Sequence, residues 1–598
     1  MKKFLAMLLS VCMLSTMVVM PAFAAAGTYT GTAYGHAADL EVAVTVDDNG
    51  VITDVTVTAN GDEADGTGIS ALAIAKIPGE IVEKQSVVID SVSGATMTSE
   101  AIVTATCAAL EAAGLNPNDY AADMVDPEAD LEEKSAVEET CDVLVIGAGV
   151  AGLTAALSAQ ESGAKVVIID KMPYAGGTTN TAGGILVCVG SQLFADNRLE
   201  SDSLDATLAY WKEHMSYSGV DSGYPDYDRL SDVLSSTGET VDWLVSNDVE
   251  FAAEPYAAST SYPMALANGG GAGLINMLVA STTARGVDLR LNTKGTSLVT
   301  DENGAVVGAV AETEDSIITF HADSVVLATG GISQNEDLVE QYSPKLHRAG
   351  LVPTSAVSHT GDGFLMALAV GAGTFDVFST PLFSQIVDPQ LSALTDTSAL
   401  TIYSQLGVNS NGERFGNEAA SAGWDTMDYT ASDMIQDGNA PFWYIYDSSD
   451  ADVAAVLEAG VAAGVVAKGN TIEELAKEMH VYTENLKVTY EVYSLTVAAG
   501  VDLLYGKDAA FLKAIDTAPF YAVKVYPTTF GSAGGVTTTA DGRVTDKDGN
   551  VISGLYAAGE MSNRYFYNEN YILAASLGLY STMGRRAGAS AAADALAK

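Results

Sequence analysis

Cysteine is scarce. The 598 residues hold four, Cys12, Cys107, Cys141 and Cys188. They are too few and too widely spaced for a disulfide framework or a thiolate metal cluster. No C-x-x-C-H occurs, which excludes a c-type haem, and the six histidines show no metal-ligand spacing. No metal site is predicted, so redox chemistry here has to be organic. Basic residues are also few, 28 against 77 acidic ones, for a formal net charge of −49. Nucleic acid is thereby excluded as a partner, and the charge suits solubility. Past the first twenty residues no run approaches the ~20 apolar residues of a membrane span.

What is present begins with Lys2 and Lys3, an apolar run over residues 4–20, and Ala22-Phe23-Ala24. Basic start, apolar stretch and small-x-small site make a secretory signal peptide over residues 1–24, the other reading being a permanent anchor. Cys12 lies inside the apolar run behind Val11, where a lipoprotein signal needs a small residue. Cleavage takes the charge from −49 to −51 by removing the two lysines. The expected location is extracytoplasmic, at the cell surface or in a periplasm-equivalent space.

Residues 27–115 read as one small α+β unit. Residues 42–46 and 52–57 alternate like a hairpin around Asp48-Asn49-Gly50. A helix is expected over 98–113, with Thr98 or Ser99 as cap and Gly114 as stop. Nine acids and one lysine over 119–139, with Pro127 and no apolar period, mark residues 116–139 as a solvated linker. Before the helix stands Asp90-Ser91-Val92-Ser93-Gly94-Ala95-Thr96. It is a strand end, a small-residue turn and a helix N-terminus, where unpaired N–H groups suit a phosphate. On spacing alone it is equally an ordinary strand–turn–helix connection. The segment resembles the flavinylation motif of the FMN-binding domain family. That resemblance implies FMN joined by a flavin transferase to the hydroxyl of Thr96, with Asp90, Ser93 and Gly94 completing the motif.

From residue 140 the composition changes. Val143-Leu144-Val145-Ile146-Gly147-Ala148-Gly149-Val150-Ala151-Gly152 is a strand running into G-x-G-x-x-G and a helix expected over 151–162. A second strand over 165–169 ends in Asp170. This is a whole dinucleotide-binding βαβ unit: Gly147, Gly149, Ala151 and Gly152 admit a pyrophosphate to the helix N-terminus, and Asp170 suits a ribose hydroxyl.

The next segments are Asp170-Lys171-Met172-Pro173, Gly176-Gly177-Thr178-Thr179 and Ala182-Gly183-Gly184. Then come Val325-Val326-Leu327-Ala328-Thr329-Gly330-Gly331 and Gly554-Leu555-Tyr556-Ala557-Ala558-Gly559-Glu560. In this order they resemble the flavoprotein family of fumarate reductases, which includes urocanate and other enoate reductases. The resemblance spans about residues 140–598. It implies a Rossmann-like FAD-binding α/β domain, 140–339 and 516–598, interrupted by an α+β capping domain over 340–515. It also implies non-covalent FAD, with Lys171, Gly177, Thr178, Thr179, Gly183, Gly184, Asp362, Glu560, Ser576 and Leu577 among the cofactor contacts. His359 beside Asp362 then belongs to the cofactor region, although a structural histidine is the more ordinary reading of it.

The family transfers a hydride to an activated alkene, and a protein acid protonates the neighbouring carbon. Gly412-Glu413-Arg414-Phe415-Gly416-Asn417-Glu418 resembles the family's catalytic-arginine motif, which makes Arg414 the first candidate acid. Arginine normally keeps its proton, so the milder role is electrostatic stabilisation of the developing enolate. Three departures argue against fumarate. Phe530-Gly531 stands where the dicarboxylate enzymes have paired histidines, no histidine follows His359 before His480, and Tyr571 stands nearest the place of a substrate-binding arginine. Residues 380–413 also contain no arginine. Two carboxylates call for two cationic clamps; Arg414 and Arg564, with Tyr567, Tyr571 and Phe530 around them, suit an aryl or monocarboxylic enoate or an enone. The expected function is a respiratory-type reductase, fed through FMN by a membrane-associated donor and acting on a small unsaturated substrate. A ketosteroid-type dehydrogenase with a tyrosine acid or base, and an electron carrier without its own substrate, stay open.

Overall fold

A computed structural model describes residues 26–35, 39–60, 69–89, 92, 96–120, 134–217, 219, 222–256, 262–378, 384–423, 426 and 429–598. The chain divides into two compact units, Met1–Glu132 and Glu133–Lys598. The predicted signal segment lies outside the described residues.

In the first unit, β1 (Gly27–Tyr34), β2 (Asp39–Val46) and β3 (Ile52–Asn60) form an antiparallel sheet in that order. Period-two burial decides its inner face: Leu40, Val42, Val44 and Val46 of β2 are all buried. The Asp47 carboxylate closes the β2–β3 turn by accepting the N–H groups of Asn49 (2.8 Å) and Val51 (2.9 Å). Helices α1 (Ile69–Lys84) and α2 (Thr96–Ala112) cover the sheet through Ile77, Ile81, Ile102 and Ala109. The expected cap was misplaced. The helix starts at Thr96, so Thr98 and Ser99 lie buried in its first turn, and Ser99 Oγ accepts the N–H of Val92 (3.0 Å). Asp90, Ser93 and Gly94 lie outside the described residues. The linker is also shorter than the acid run suggested, because Val87 N–H donates to the Tyr120 carbonyl and ties residues 117–120 to this unit.

The second unit holds an eight-stranded sheet of β4 (Ser135–Ile146), β5 (Val166–Ile169), β8 (Asp288–Arg290), β9 (Lys294–Thr300), β10 (Val306–Glu312), β11 (Ser316–Leu327), β18 (Arg543–Thr545) and β19 (Val551–Ala557). Its order is β18-β19-β11-β4-β5-β8, with β10 paired to β11 and β9 to β10. The strands from β19 to β8 run parallel. Strand β4 starts before residue 140 because β11 offers it a partner from Ser316 onward. Helix α3 (Val150–Glu161) is almost wholly buried between this sheet and the last helix, Ser576–Leu596. Small residues permit the approach: a Cβ on Gly584 would lie 2.2 Å from the Ala151 carbonyl oxygen. A ribbon of β6 (Ile185–Val187) and β7 (Met264–Leu266) lies apart from the main sheet.

The inserted layer is a six-stranded sheet of β12 (Val352–Pro353), β13 (Ser384–Val387), β14 (Leu406–Val408), β15 (Phe442–Asp447), β16 (Val466–Gly469) and β17 (Phe520–Thr529). Strand β17 pairs with β12, β13, β15 and β16, so this layer runs past the boundary at residue 515. No composition break marks that boundary, since β17 is as apolar as the strands of either sheet. No helix among the described residues is long and apolar enough to cross a membrane.

Candidate active site

A cavity of about 580 Å³ opens at the carboxyl ends of β4, β5 and β11, where open α/β sheets bind ligands. The first turn of α3 forms one wall. Gly149, its N-cap, has no side chain to satisfy the first N–H groups, and Gly149, Val150 and Ala151 line the cavity. Gly152 lies behind that wall; a Cβ there would stand 1.8 Å from the Gly147 carbonyl oxygen. Asp170 caps the loop as well as the cavity: Oδ2 accepts the N–H of Ala148 (2.8 Å) and Oδ1 that of Met172 (2.9 Å). Burial pushes its pKa up against those two bonds.

Opposite, Lys171 and Lys294 both pair with Asp362, the latter at 3.7 Å. Gly177, Thr178, Thr179 and Gly183 complete a floor of small residues, and adding a Cβ at Gly177 meets nothing within 4 Å. Gly184 lies outside the lining and packs against the Gly270 backbone. Glu560, Ser576 and Leu577 come from the C-terminal segment. Glu560 is half of a buried acid–imidazole pair, its Oε2 3.6 Å from His359 Nδ1. Burial raises the Glu560 pKa, and His359 acts the other way.

The remaining wall is apolar and aromatic: Phe530, Tyr571, Leu573, Ala574 and Tyr256. Tyr571 is braced from below. Asn570 Nδ2 donates to the His214 carbonyl (2.7 Å) and Asn568 Nδ2 to that of Met215 (2.6 Å), in the last turn of α4 (Leu204–Met215). Ser432, on the helix Tyr429–Asp437 of the inserted layer, donates to Asn570 Oδ1 at 2.7 Å.

Three expected substrate contacts lie elsewhere. Arg414 does not line the cavity. Its Nε donates to Glu418 Oε1 (2.8 Å), and Nη2 meets Glu418 Oε2 (2.6 Å) and Asp502 Oδ2 (2.8 Å). Lys507, fully buried, sits 3.3 Å from the same Glu418 and donates to the Gln405 carbonyl. Burial works against the Arg414 charge, but Glu418 and Asp502 outweigh it and raise its pKa above the ordinary arginine value. Arg564 is buried over the Tyr224 ring and donates to the Tyr567 carbonyl, bracing its own turn. Tyr567 is core, its hydroxyl 3.0 Å from Ser576 Oγ and its ring beside Trp211. Sequence reasoning missed Lys294, Tyr256, Leu573 and Tyr580 on the lining, which carry no motif of their own.

The residues present fit a dinucleotide. An uncapped helix N-terminus suits a pyrophosphate, the glycine floor leaves room for a chain, and the buried His359 Nδ1 has no partner in the protein. A family model described as FAD binding domain matches residues 142–571, and one described as FMN-binding domain matches 35–111. The chain is 29% identical over 598 residues to an NADH:acrylate oxidoreductase of Vibrio harveyi, covering 90% of this chain and 58% of that protein. It therefore spans little more than half that relative's length. To a urocanate reductase of Eggerthella lenta it is 28% identical over 588 residues, covering 95% and 92%. Among solved structures, the open conformation of a flavocytochrome c3 fumarate reductase superposes with a TM-score of 0.57 at 28% identity, covering 77% of this chain and 79% of that one.

Proposed function

We propose, from the premise that this chain belongs to the FAD-binding-domain family, that it is an exported flavin-dependent reductase of activated C=C bonds. Its substrate class is an aryl or monocarboxylic enoate, or an enone. Bound FAD supplies a hydride; the protein's tasks are to hold the alkene, exclude water and deliver a proton.

The observation that carries the substrate class is the wall of Phe530, Tyr571, Leu573 and Tyr256. It offers ring contact and few polar groups. The lysines on the described lining are Lys171 and Lys294, both paired with Asp362, and no arginine joins them. A second carboxylate would enter without a clamp and face Glu560. Of the relatives named above, two are by name an acrylate oxidoreductase and a urocanate reductase, whose substrates are monocarboxylic, and the third is a fumarate reductase. Tyr571 is the proton donor: its phenol is on the lining, and a phenolic O–H can donate to a carbon held beside it. Arg414 is paired with Glu418 and Asp502, which hold it in its protonated form and away from the lining.

Electrons enter through FMN in the first unit, from a membrane-associated donor. The FMN is covalent at Thr96, attached by a flavin transferase. Supporting this are the FMN-binding-domain match and the position of Thr96 at the start of α2, where helix N–H groups favour a phosphoester. Co-expression with a flavin transferase should give a fluorescent band on a denaturing gel, and Thr96→Ala should lose it; a band that survives removes the assignment.

The reaction itself is tested with the FMN-loaded protein, reduced viologen, and a panel of aryl enoates, acrylate, enones and fumarate. The expected kcat/KM for the best aryl enoate or enone exceeds that for fumarate at least about tenfold, one unmatched charge contact. A preference for fumarate defeats the substrate class, and no turnover of any alkene defeats the reaction.

A further inference from the structure

We propose that His359 is a cofactor-binding residue, its Nδ1 and the Glu560 Oε2 together clamping one hydroxyl of the ribityl chain of bound FAD.

The argument starts from the proton on the imidazole. His359 is 5% exposed and lines the cavity. Its Nε2 lies 3.1 Å from Thr178 Oγ1. That hydroxyl already accepts the N–H of Ala356 at 2.9 Å, so its own hydrogen is free to go to Nε2. A neutral imidazole that accepts at Nε2 carries its proton on Nδ1. The ring packs against the Gly330 backbone, where an added Cβ would lie 2.6 Å from Nε2.

Nδ1 has no hydrogen-bond partner in the protein. Its nearest acidic atom, Glu560 Oε2, is 3.6 Å away, beyond hydrogen-bonding distance. Glu560 Oε1 is occupied, accepting both the N–H and the hydroxyl of Ser532. A buried, unpartnered donor thus stands 3.6 Å from a carboxylate oxygen on the cavity wall, too far for the two to satisfy each other. A single hydroxyl accepts from one and donates to the other. A phosphate oxygen would satisfy His359 and be repelled by Glu560. The hydroxyls of FAD lie on its ribose and its ribityl chain. Asp170, at the end of β5, suits the ribose, which leaves the ribityl chain for this pair. The inference rests on the family's cofactor and is independent of the substrate class.

The test is calorimetric titration of the FAD-stripped full chain with FAD and with analogues each lacking one ribityl hydroxyl. His359→Phe keeps the ring volume and removes both nitrogens. It should weaken FAD binding about tenfold, the value of one net hydrogen bond. One analogue should bind the wild type at least about tenfold more weakly than FAD does, and its penalty should shrink in His359→Phe, where only the Glu560 contact to that hydroxyl is left to lose, the signature of a shared contact. His359→Gln, which keeps a donor, should recover part of the loss. Two results overturn the proposal: FAD affinity unchanged in His359→Phe, or the same analogue penalty in both proteins. If His359→Phe does not fold, His359→Gln against the same analogue series decides: an analogue penalty identical to the wild type's overturns the proposal.

Discussion

Two buried charge clusters in the second unit use similar groups to opposite ends. Around Arg414, two cations and two carboxylates satisfy one another: Arg414 and Lys507 against Glu418 and Asp502. Asp502 further accepts the N–H groups of Leu504, Tyr505 and Lys507, tying that loop to the arginine motif. Around His359, the imidazole Nδ1 is left without a partner, 3.6 Å from Glu560 Oε2 on the cavity wall. The difference teaches how to tell scaffold from site. A closed ion cluster has nothing left to offer a ligand, and its opposite charges hold protons where they are. An open one, desolvated and unsatisfied, is stable only when something else completes it.

The largest expected effect tests whether the cavity is the cofactor site. Gly152→Val should abolish FAD retention while FMN stays on the first unit, because even a Cβ at that position would stand 1.8 Å from the Gly147 carbonyl oxygen. The ratio of the two flavins after purification measures it, and an unchanged ratio would remove the 147–152 loop from the site. Next comes the closed cluster. Arg414→Ala leaves Glu418 and Asp502 facing each other and Lys507, and breaking such a buried pair costs about 3–5 kcal/mol of stability. Denaturant unfolding of the FAD-loaded protein reads that loss. If the variant is as stable as the wild type, the cluster is not the scaffold described.

The sequence and the structure agree best where chemistry is local. Gly147, Gly149, Thr178 and Glu560 come to one cavity because each sits at the carboxyl end of a strand or in the turn after it, where local pattern and position coincide. Direction was not legible. The motif around Arg414 marks a turn, but the partners that decide its role, Asp502 and Lys507, come from a distant loop that no spacing connects to it. Tyr567 and Tyr571 have rings 5.4 Å apart. One is core and the other lines the cavity, a split set by which way the segment turns over α4. Lys294 and Tyr256 reach the lining from elements with no signature.

The claim that the proton comes from the cavity wall and not from the closed cluster has one direct test. The reduced, fully flavin-loaded protein is mixed with an aryl enoate, and the rate of flavin reoxidation is followed in Tyr571→Phe and in folded Arg414→Ala. Tyr571→Phe should slow reoxidation at least about 10²-fold, the low end for losing a proton donor, with FAD still bound. Arg414→Ala should stay within about threefold of wild type, since it removes no group from the cavity. The reverse pattern, a fast Tyr571→Phe and a slow but folded Arg414→Ala, would return the acid to the arginine and contradict the account.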